Sequence, residues 1–337
     1  MSESVETATT AASMARGPVP ASMVGTGQAT MTADALGAGR APVVAPSADP
    51  DIAQRYAKIQ QRRRRMRAAA RVGRWAINVL LVLVFFFPFF WMVVSSLKTL
   101  AETMQFPPTL LPSDPQWGNF NDAWTSIPFG KYLMNSVIVT LAVLLMQTLT
   151  VIPAAYAFSQ YRFRMRGVLF GITLVTMMVP AQLVFLPLFV LFAKWHMINT
   201  YWSLILPFAT SAFNIFMLRQ TFNQMPQELI EAARLDGASE LKIIVRLFLP
   251  MAKPTLVTLG LLTFIATWND YFWPLVLTTN DAVRTLPVGV ASMRASESGI
   301  NYHILMAANV LLTLPIAVIY LLANKHIIKA FAYIGDK

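Results

Sequence analysis

Arg62-Arg63-Arg64-Arg65-Met66-Arg67-Ala68-Ala69-Ala70-Arg71-Val72-Gly73-Arg74 runs directly into Trp75-Ala76-Ile77-Asn78-Val79-Leu80-Leu81-Val82-Leu83-Val84-Phe85-Phe86-Phe87-Pro88-Phe89-Phe90-Trp91. Residues 75–97 carry no charged side chain. That length suffices for a helix to cross the roughly 30 Å of hydrocarbon in a bilayer. The preceding residues 55–74 also include Arg55 and Lys58, and hold nine bases and no acid. Cations packed against the start of an apolar helix sit best beside an anionic lipid leaflet.

The rest of the chain extends this pattern. Further apolar stretches fall at about 133–158, 167–191, 203–222, 254–277 and 302–324. The 337 residues are 56% apolar and 13% charged, with a mean hydropathy of +0.53. A soluble domain carries about 25% charged residues, so a water-soluble globule is excluded. Lipid offers no partner to open backbone groups, and no stretch alternates like a barrel strand. The expected fold is therefore all-α, with six transmembrane helices. Pro88, Pro153, Pro180, Pro187 and Pro207 lie in or near these spans and predict kinks.

A net charge of +11 on a soluble chain would suggest nucleic acid. Here residues 55–74 supply +9 of it, and the other 317 residues hold 18 bases against 16 acids. No zinc-ligand set or recognition helix accompanies the run, so membrane lipid is its expected partner and nucleic acid is not. If the amino-terminal tail, the 159–166 loop, Arg219, the 223–253 loop and the carboxy-terminal tail share one side, that side holds 22 of the 27 bases. The positive-inside rule then places both termini in the cytoplasm, consistent with an even number of spans. The other side holds the long segments 98–131 and 278–301. The first, with Pro107, Pro108, Pro112, Pro115, Trp117 and Trp124, predicts a rigid loop followed by a short helix.

The organisation expected along the chain is a disordered tail over 1–54, a basic juxtamembrane segment over 55–74, a six-helix domain over 75–324 and a cytoplasmic tail over 325–337. Residues 1–54 contain no Phe, Tyr or Trp, and cannot offset their own ordering entropy by burial. The chain lacks cysteine, and His196, His303 and His326 are far apart, so neither a metal nor a cofactor is expected. There is no His-Glu-x-x-His pair, no nucleophile signature and no Walker A sequence. The chain is not expected to be an enzyme.

The most informative loop is Met225-Pro226-Gln227-Glu228-Leu229-Ile230-Glu231-Ala232-Ala233-Arg234-Leu235-Asp236-Gly237-Ala238-Ser239-Glu240-Leu241-Lys242. Pro226 suits a first helical position, Glu228 suits the positive pole of the helix, and Gly237 supplies a left-handed stop. Ser239 can cap a second helix over 240–248, ending before Pro250. The loop thus predicts a helix–turn–helix on the cytoplasmic face. Ala232 and Ala233 leave little bulk, and Glu231, Arg234 and Asp236 could form the rim of a dock. From the residues alone, an amphipathic helix resting on headgroups fits as well.

The run Glu231-Ala232-Ala233, Asp236-Gly237-Ala238, Leu249-Pro250 and Pro254 resembles the EAA loop of permease subunits in bacterial ABC importers. Within these it is similar to the maltose-type permeases of carbohydrate uptake. Trp268-Asn269-Asp270-Tyr271-Phe272-Trp273-Pro274 is similar to the end of that family's fifth span, and the resemblance covers roughly 75–330. It implies a coupling helix over Glu231–Gly237, with Glu231, Ala232, Ala233, Asp236, Gly237, Ala238 and Pro250 carrying the contact to a cytoplasmic ATPase. It implies alternating access driven by two copies of that separate ATP-binding subunit. The implied partners also include a second permease subunit in a heterodimer and an extracytoplasmic solute-binding protein that delivers a sugar.

Sugars are held by aromatic faces and hydrogen-bonding side chains. Gln182, Asn214, Trp268, Asn269 and Tyr271 are the candidates for a substrate pathway, with Gln147 and Asp270 also polar within the spans. Helix–helix hydrogen bonding is the competing assignment for each amide. Two alternatives to a sugar permease remain at this point. One is a permease for a polyol phosphate or other small organic solute, and the other is a membrane sensor or scaffold recruiting a soluble partner through the loop.

Overall fold

The structure is a computed structural model, which describes the backbone of residues 50–295 and 301–334 and the side chains over 70–294 and 301–322. The expected tail over 1–54 lies outside the described residues except for 50–54, which are helical, and so does the polar Ser296–Gly299 run. Contacts divide the chain into the units Met1–Trp75 and Ala76–Lys337. The membrane domain and the loop of interest belong to the second unit.

Among the described residues every regular element is helical. The first helix, α1, covers Pro50–Ser96, so the basic segment and the first apolar stretch share one backbone helix. Leu80, Val82, Leu83, Phe85 and Phe86 are all at least 60% exposed, as lipid-facing side chains are. Two short helices follow, α2 (Leu100–Met104) and α3 (Gly118–Thr125), the latter being the helix expected after the proline run. The longest single-helix candidate span is α4 (Phe129–Gln160), which accommodates Pro153 without a break.

The third, fourth and fifth apolar stretches are not single rods. The third is α5 (Arg166–Thr176) and, past a 3-10 turn at Ala181–Val184, α6 (Phe185–Lys194), bent by 92°. Pro180 stands at the break, where its missing N–H and restricted neighbour end a helix. The fourth is α7 (Tyr201–Ile205), a 3-10 turn containing Pro207, and α8 (Ala212–Asn223), bent by 41°. Ser211 caps α8 by accepting from the Asn214 N–H at 3.3 Å.

The loop after α8 contains α9 (Gln227–Leu235), α10 (Glu240–Ile243), a π-helical stretch over Ile244–Phe248 and α11 (Leu249–Met251). An 82° bend then leads into α12 (Lys253–Trp268). The expected single span over 254–277 is corrected here. Its helix stops at Trp268, and α13 (Phe272–Leu277) begins after Asn269-Asp270-Tyr271. Asn and Asp compete for backbone groups, and the Asp270 carboxylate accepts the Trp273 N–H at 3.3 Å. The remaining helices are α14 (Leu286–Ser292) and α15 (Tyr302–Ile334). The latter runs past 324, the boundary expected for the last span. Three straight helices are long and apolar enough to cross a membrane, or up to six spans if each bent pair is one.

α4 threads all three buried clusters. Phe129 and Tyr132 join Trp268, Leu286 and Leu305; Val139 and Val143 join Leu204, Trp273 and Leu277; Val151 and Tyr156 join Phe222, Ile230 and Phe248. One helix therefore connects the loop of α9 and α10 to the opposite end of the fold.

At that opposite end the 98–116 segment is stapled by two charged side chains. Lys98 is 1% exposed, donates to the Thr109 carbonyl and lies 4.5 Å from the centre of the Trp91 ring. Glu102 accepts the backbone N–H of Thr99 at 3.0 Å and of Ser113 at 2.9 Å. Those two donors hold its carboxyl down at about 2, against an ordinary 4.5. Because the folded value lies below the unfolded one, the staple is intact above the ordinary range and is lost as the pH falls through about 2. A carboxyl carbon titration, assigned by Glu102→Gln, is expected to find this group still ionised at about pH 3.5, well below the ordinary glutamate range.

Candidate functional site

Two features of Ala76–Lys337 can carry function, a cavity among the helices and the exposed face of the α9–α10 loop. The cavity has a volume of about 390 Å³. α4 contributes Ser136 and Gln147, α8 contributes Asn214, and α12 contributes Thr263 and Thr267. The break after α12 contributes Asp270, while Phe272 and Trp273 supply aromatic surface. Its wall therefore offers amides, hydroxyls, rings and one carboxylate, and no Lys, Arg or His among the described residues belongs to it.

One corner of the wall is a closed hydrogen-bond network. Gln147 Oε1 accepts from Asn214 Nδ2 at 2.8 Å and from the Thr263 hydroxyl at 3.1 Å. Gln147 Nε2 donates to the Phe208 carbonyl at 2.9 Å, at the break between α7 and α8. Asn214 Nδ2 also lies 3.0 Å from Thr263 Oγ1, and Asn214 is 7% exposed. The network joins α4, α8 and α12 and satisfies carbonyl and amide groups that lipid would leave unpaired.

The loop ends with well-defined chemistry. The N–H of Ala238 donates to the Ala233 carbonyl and that of Gly237 to the Arg234 carbonyl, both at 3.0 Å. This is the Schellman pattern, and Gly237 sits at φ +71° as the pattern requires. Ser239 caps α10, its hydroxyl accepting from the Lys242 N–H at 3.4 Å. Ile230 and Ile243 are buried beneath the loop, whereas Leu235 is 90% and Leu241 70% exposed. Two large apolar side chains thus stand in the open on the loop, Leu235 about one turn along α9 from the exposed Glu231.

Residues 148–333 match the family described as the binding-protein-dependent transport system inner membrane component. A permease protein of the sn-glycerol-3-phosphate transport system (UgpE) of Pectobacterium atrosepticum is 34% identical over 255 residues, covering 74% of this chain and 91% of the relative. The arabinooligosaccharides transport system permease protein AraQ of Bacillus subtilis is 31% identical over 273 residues, covering 79% and 96%. The chain belongs to this family. A chain of a bacterial ABC transporter that imports the acidic polysaccharide alginate superposes with a TM-score of 0.69 at 26% identity, over 77% of this chain and 97% of that one. A chain of the alginate transporter in complex with its pentasaccharide-bound periplasmic protein shares the fold, at a TM-score of 0.56 and 16% identity over 77% and 94%.

The protein is a multi-pass inner-membrane permease subunit of an ABC importer, and the sensor or scaffold class is set aside. The permease places its sequence-predicted residues unequally. Of the pathway candidates, Gln182 and Asn214 line the cavity. Trp268 is 2% exposed and donates its indole N–H to the Leu312 carbonyl at 3.0 Å, tying α12 to α15. Asn269 turns back to the Ile265 carbonyl at 3.0 Å, and Tyr271 is 44% exposed; neither is a lining residue. Thr263, Thr267 and Ser136 are lining residues that sequence alone did not single out, because a mid-helix hydroxyl carries no positional signal.

In the loop, Glu231, Ala232, Asp236 and Gly237 are exposed, while Ala233 and Ala238 pack against the cluster of Ile230 and Phe248. The small size of Ala233 therefore serves internal packing. Pro226 precedes the helix as its cap and is not its first residue. Pro250 does not end the second helix but lies in α11. The Leu249 N–H bonds to the Ile244 carbonyl in the widened π register just before it, so the helical path continues to Met251.

Removing the Asn214 amide leaves the acceptor of Gln147 with one donor fewer. Asn214→Ala is expected to cost the permease about 1–2 kcal/mol of stability, the range for a lost hydrogen bond with a partner left short. Thermal unfolding in detergent measures this. The half-saturating cargo concentration for uptake should stay unchanged, since that amide already has two partners.

Proposed function

We propose that this permease imports a neutral sugar or oligosaccharide handed over by an extracytoplasmic solute-binding protein. Both termini lie in the cytoplasm, and the 223–253 loop faces the compartment that holds ATP. The functional unit pairs this chain with a second permease subunit and two copies of a cytoplasmic ATP-binding subunit, in which the hydrolysis takes place. ATP-driven closure of those subunits displaces the loop and switches the spans between two access states.

The observation that carries the substrate class is the wall of the cavity. Amides, hydroxyls and ring faces match the alternating polar and apolar surface of a saccharide. Asp270 is its one charged lining residue among those described. Two like charges about 6 Å apart repel by roughly 3 kcal/mol at an effective dielectric near 20, so a phosphate beside Asp270 is disfavoured. The polyol-phosphate alternative draws support from the glycerol-phosphate relative, and this wall argues against it.

Orientation draws support from the basic loops, and the coupling assignment from Leu235 and Leu241. These two side chains stand on either side of the left-handed stop at Gly237 and the Ser239 cap, which fix the turn that presents them. Gln182 and the hydroxyl of Thr267 are the proposed cargo contacts within this chain; the Ser136 hydroxyl already accepts the Leu286 N–H at 2.8 Å.

The test is uptake by cells expressing the complete importer, with radiolabelled maltose, arabino-oligosaccharide and sn-glycerol 3-phosphate offered in turn. Import of at least one neutral saccharide and none of the phosphate is expected. Import of the phosphate alone would overturn the neutral-cargo assignment while leaving the permease role intact.

A further inference from the structure

Beside its apolar packing, the α9–α10 loop reaches α4 through one polar junction. Glu240, the first residue of α10, accepts from Arg234 of α9 twice, from Nε at 3.1 Å and from Nη2 at 3.4 Å. The Tyr156 hydroxyl of α4 donates to the same carboxylate. Tyr156 itself is 2% exposed, with its ring edge-on to Phe248 at 4.9 Å. One carboxylate thus joins both arms of the helix–turn–helix to the end of the helix that carries Ser136 and Gln147 into the cavity wall.

We propose that Glu240 is a positioning residue, a strut that makes α9, α10 and α4 move as one body when the loop is displaced. This inference rests on the coupling assignment of the loop made above. Three features set the strut apart from ordinary surface pairing. Its Arg234 contact is a two-pronged fork, which fixes direction as well as distance. It spans the Gly237 turn, so a side-chain tie joins α9 to α10 across the left-handed residue between them. And its third member lies in the core, so the charge pair is anchored to a side chain that cannot swing away.

The groups facing the carboxylate are Tyr156, Tyr161 and Arg234. The Tyr156 hydroxyl first, and then the Arg234 fork, hold the Glu240 carboxyl below its ordinary range. It is therefore ionised at neutral pH, and the fork keeps its charge.

Apolar packing of Ile230, Ile243 and Phe248 also links loop and helix, so the test must separate the two. Tyr156→Phe removes the hydroxyl and keeps the ring against Phe248; Glu240→Ala removes the carboxylate at a half-exposed helix start. The chain has no native cysteine. Gln227→Cys on α9 and Lys131→Cys at the far end of α4, both exposed, can therefore carry the two spin labels in the complete importer in lipid discs.

Electron–electron distance distributions are recorded without nucleotide and after trapping with ATP and vanadate. The native strut should give one narrow distribution in both states. Each variant should broaden the trapped distribution by about twofold or more, and the double variant should broaden it no further, as members of one coupled unit behave. Coincident distributions for native protein and variants overturn the strut. Cross-linking of Leu235→Cys to the ATP-binding subunit reports on the coupling assignment separately. If that link forms while the distributions coincide, the strut alone fails.

Discussion

Gly237→Pro is expected to stop ATP-driven uptake, by at least about tenfold, in a permease that still inserts into the membrane. Gly237 holds φ +71°, and its N–H donates to the Arg234 carbonyl. Proline is locked near φ −65° and has no N–H, so the helix stop cannot form, at a cost of about 3 kcal/mol or more. A Cβ at this position would meet nothing within 4 Å, so the effect is one of backbone alone. Gly237→Asn is the informative control. Asparagine tolerates the left-handed region, and most of the uptake should survive. The defect is functional because the turn sets the angle between α9 and α10, and thereby where Leu235 and Leu241 point. Uptake of labelled cargo beside a membrane-fraction immunoblot separates loss of coupling from loss of protein.

The second large effect concerns folding. Gly289 of α14 lies so close to α4 that a Cβ there would sit 2.2 Å from Tyr132 Cδ2 and 2.6 Å from Cε2. Tyr132 is 2% exposed and packs within the cluster of Trp268 and Leu286, so its ring has nowhere to go. Overpacking of this kind costs about 1–3 kcal/mol. Gly289→Ala should therefore lower the unfolding midpoint in detergent by roughly 5 °C, given the shift expected per kcal/mol for a domain of this size. Tyr132→Leu on the Gly289→Ala background frees the space and should recover part of the loss.

These two glycines illustrate what the amino-acid sequence discloses and what it hides. Gly237 was legible because it follows an amphipathic run and precedes a Ser cap; the conformational demand is local and written in neighbouring residues. Gly289 carries no such sign, since its constraint comes from Tyr132, more than a hundred residues away. The same division runs through the spans. Their number and rough position followed from uncharged stretches of membrane length. The breaks were harder, because Pro180 and Pro207 stand where their helices are interrupted while Pro153 lies inside a continuous α4, and the residue type alone does not distinguish them.

The cavity was the least legible part. For Asn214 the sequence leaves cargo contact and helix–helix hydrogen bonding both open, and its partners Gln147 and Thr263 sit on two other helices. Trp268 belongs to an aromatic string suited to a sugar, yet its indole serves α15. Only assembly of the helices decides which polar groups are already partnered and which remain open to cargo.

The central claim is that energy enters the permease through the exposed face of α9. Leu235→Cys in the otherwise cysteine-free chain tests it most directly, by cross-linking in native membranes with a short reagent that is thiol-reactive at one end and photoactivated at the other, so that no thiol is needed on the partner. The expected result is a product containing this chain and the ATP-binding subunit, with no labelling of the introduced thiol by impermeant maleimide applied to intact spheroplasts. Labelling from outside, or a membrane-stable importer in which that thiol never links to the ATP-binding subunit, would contradict it.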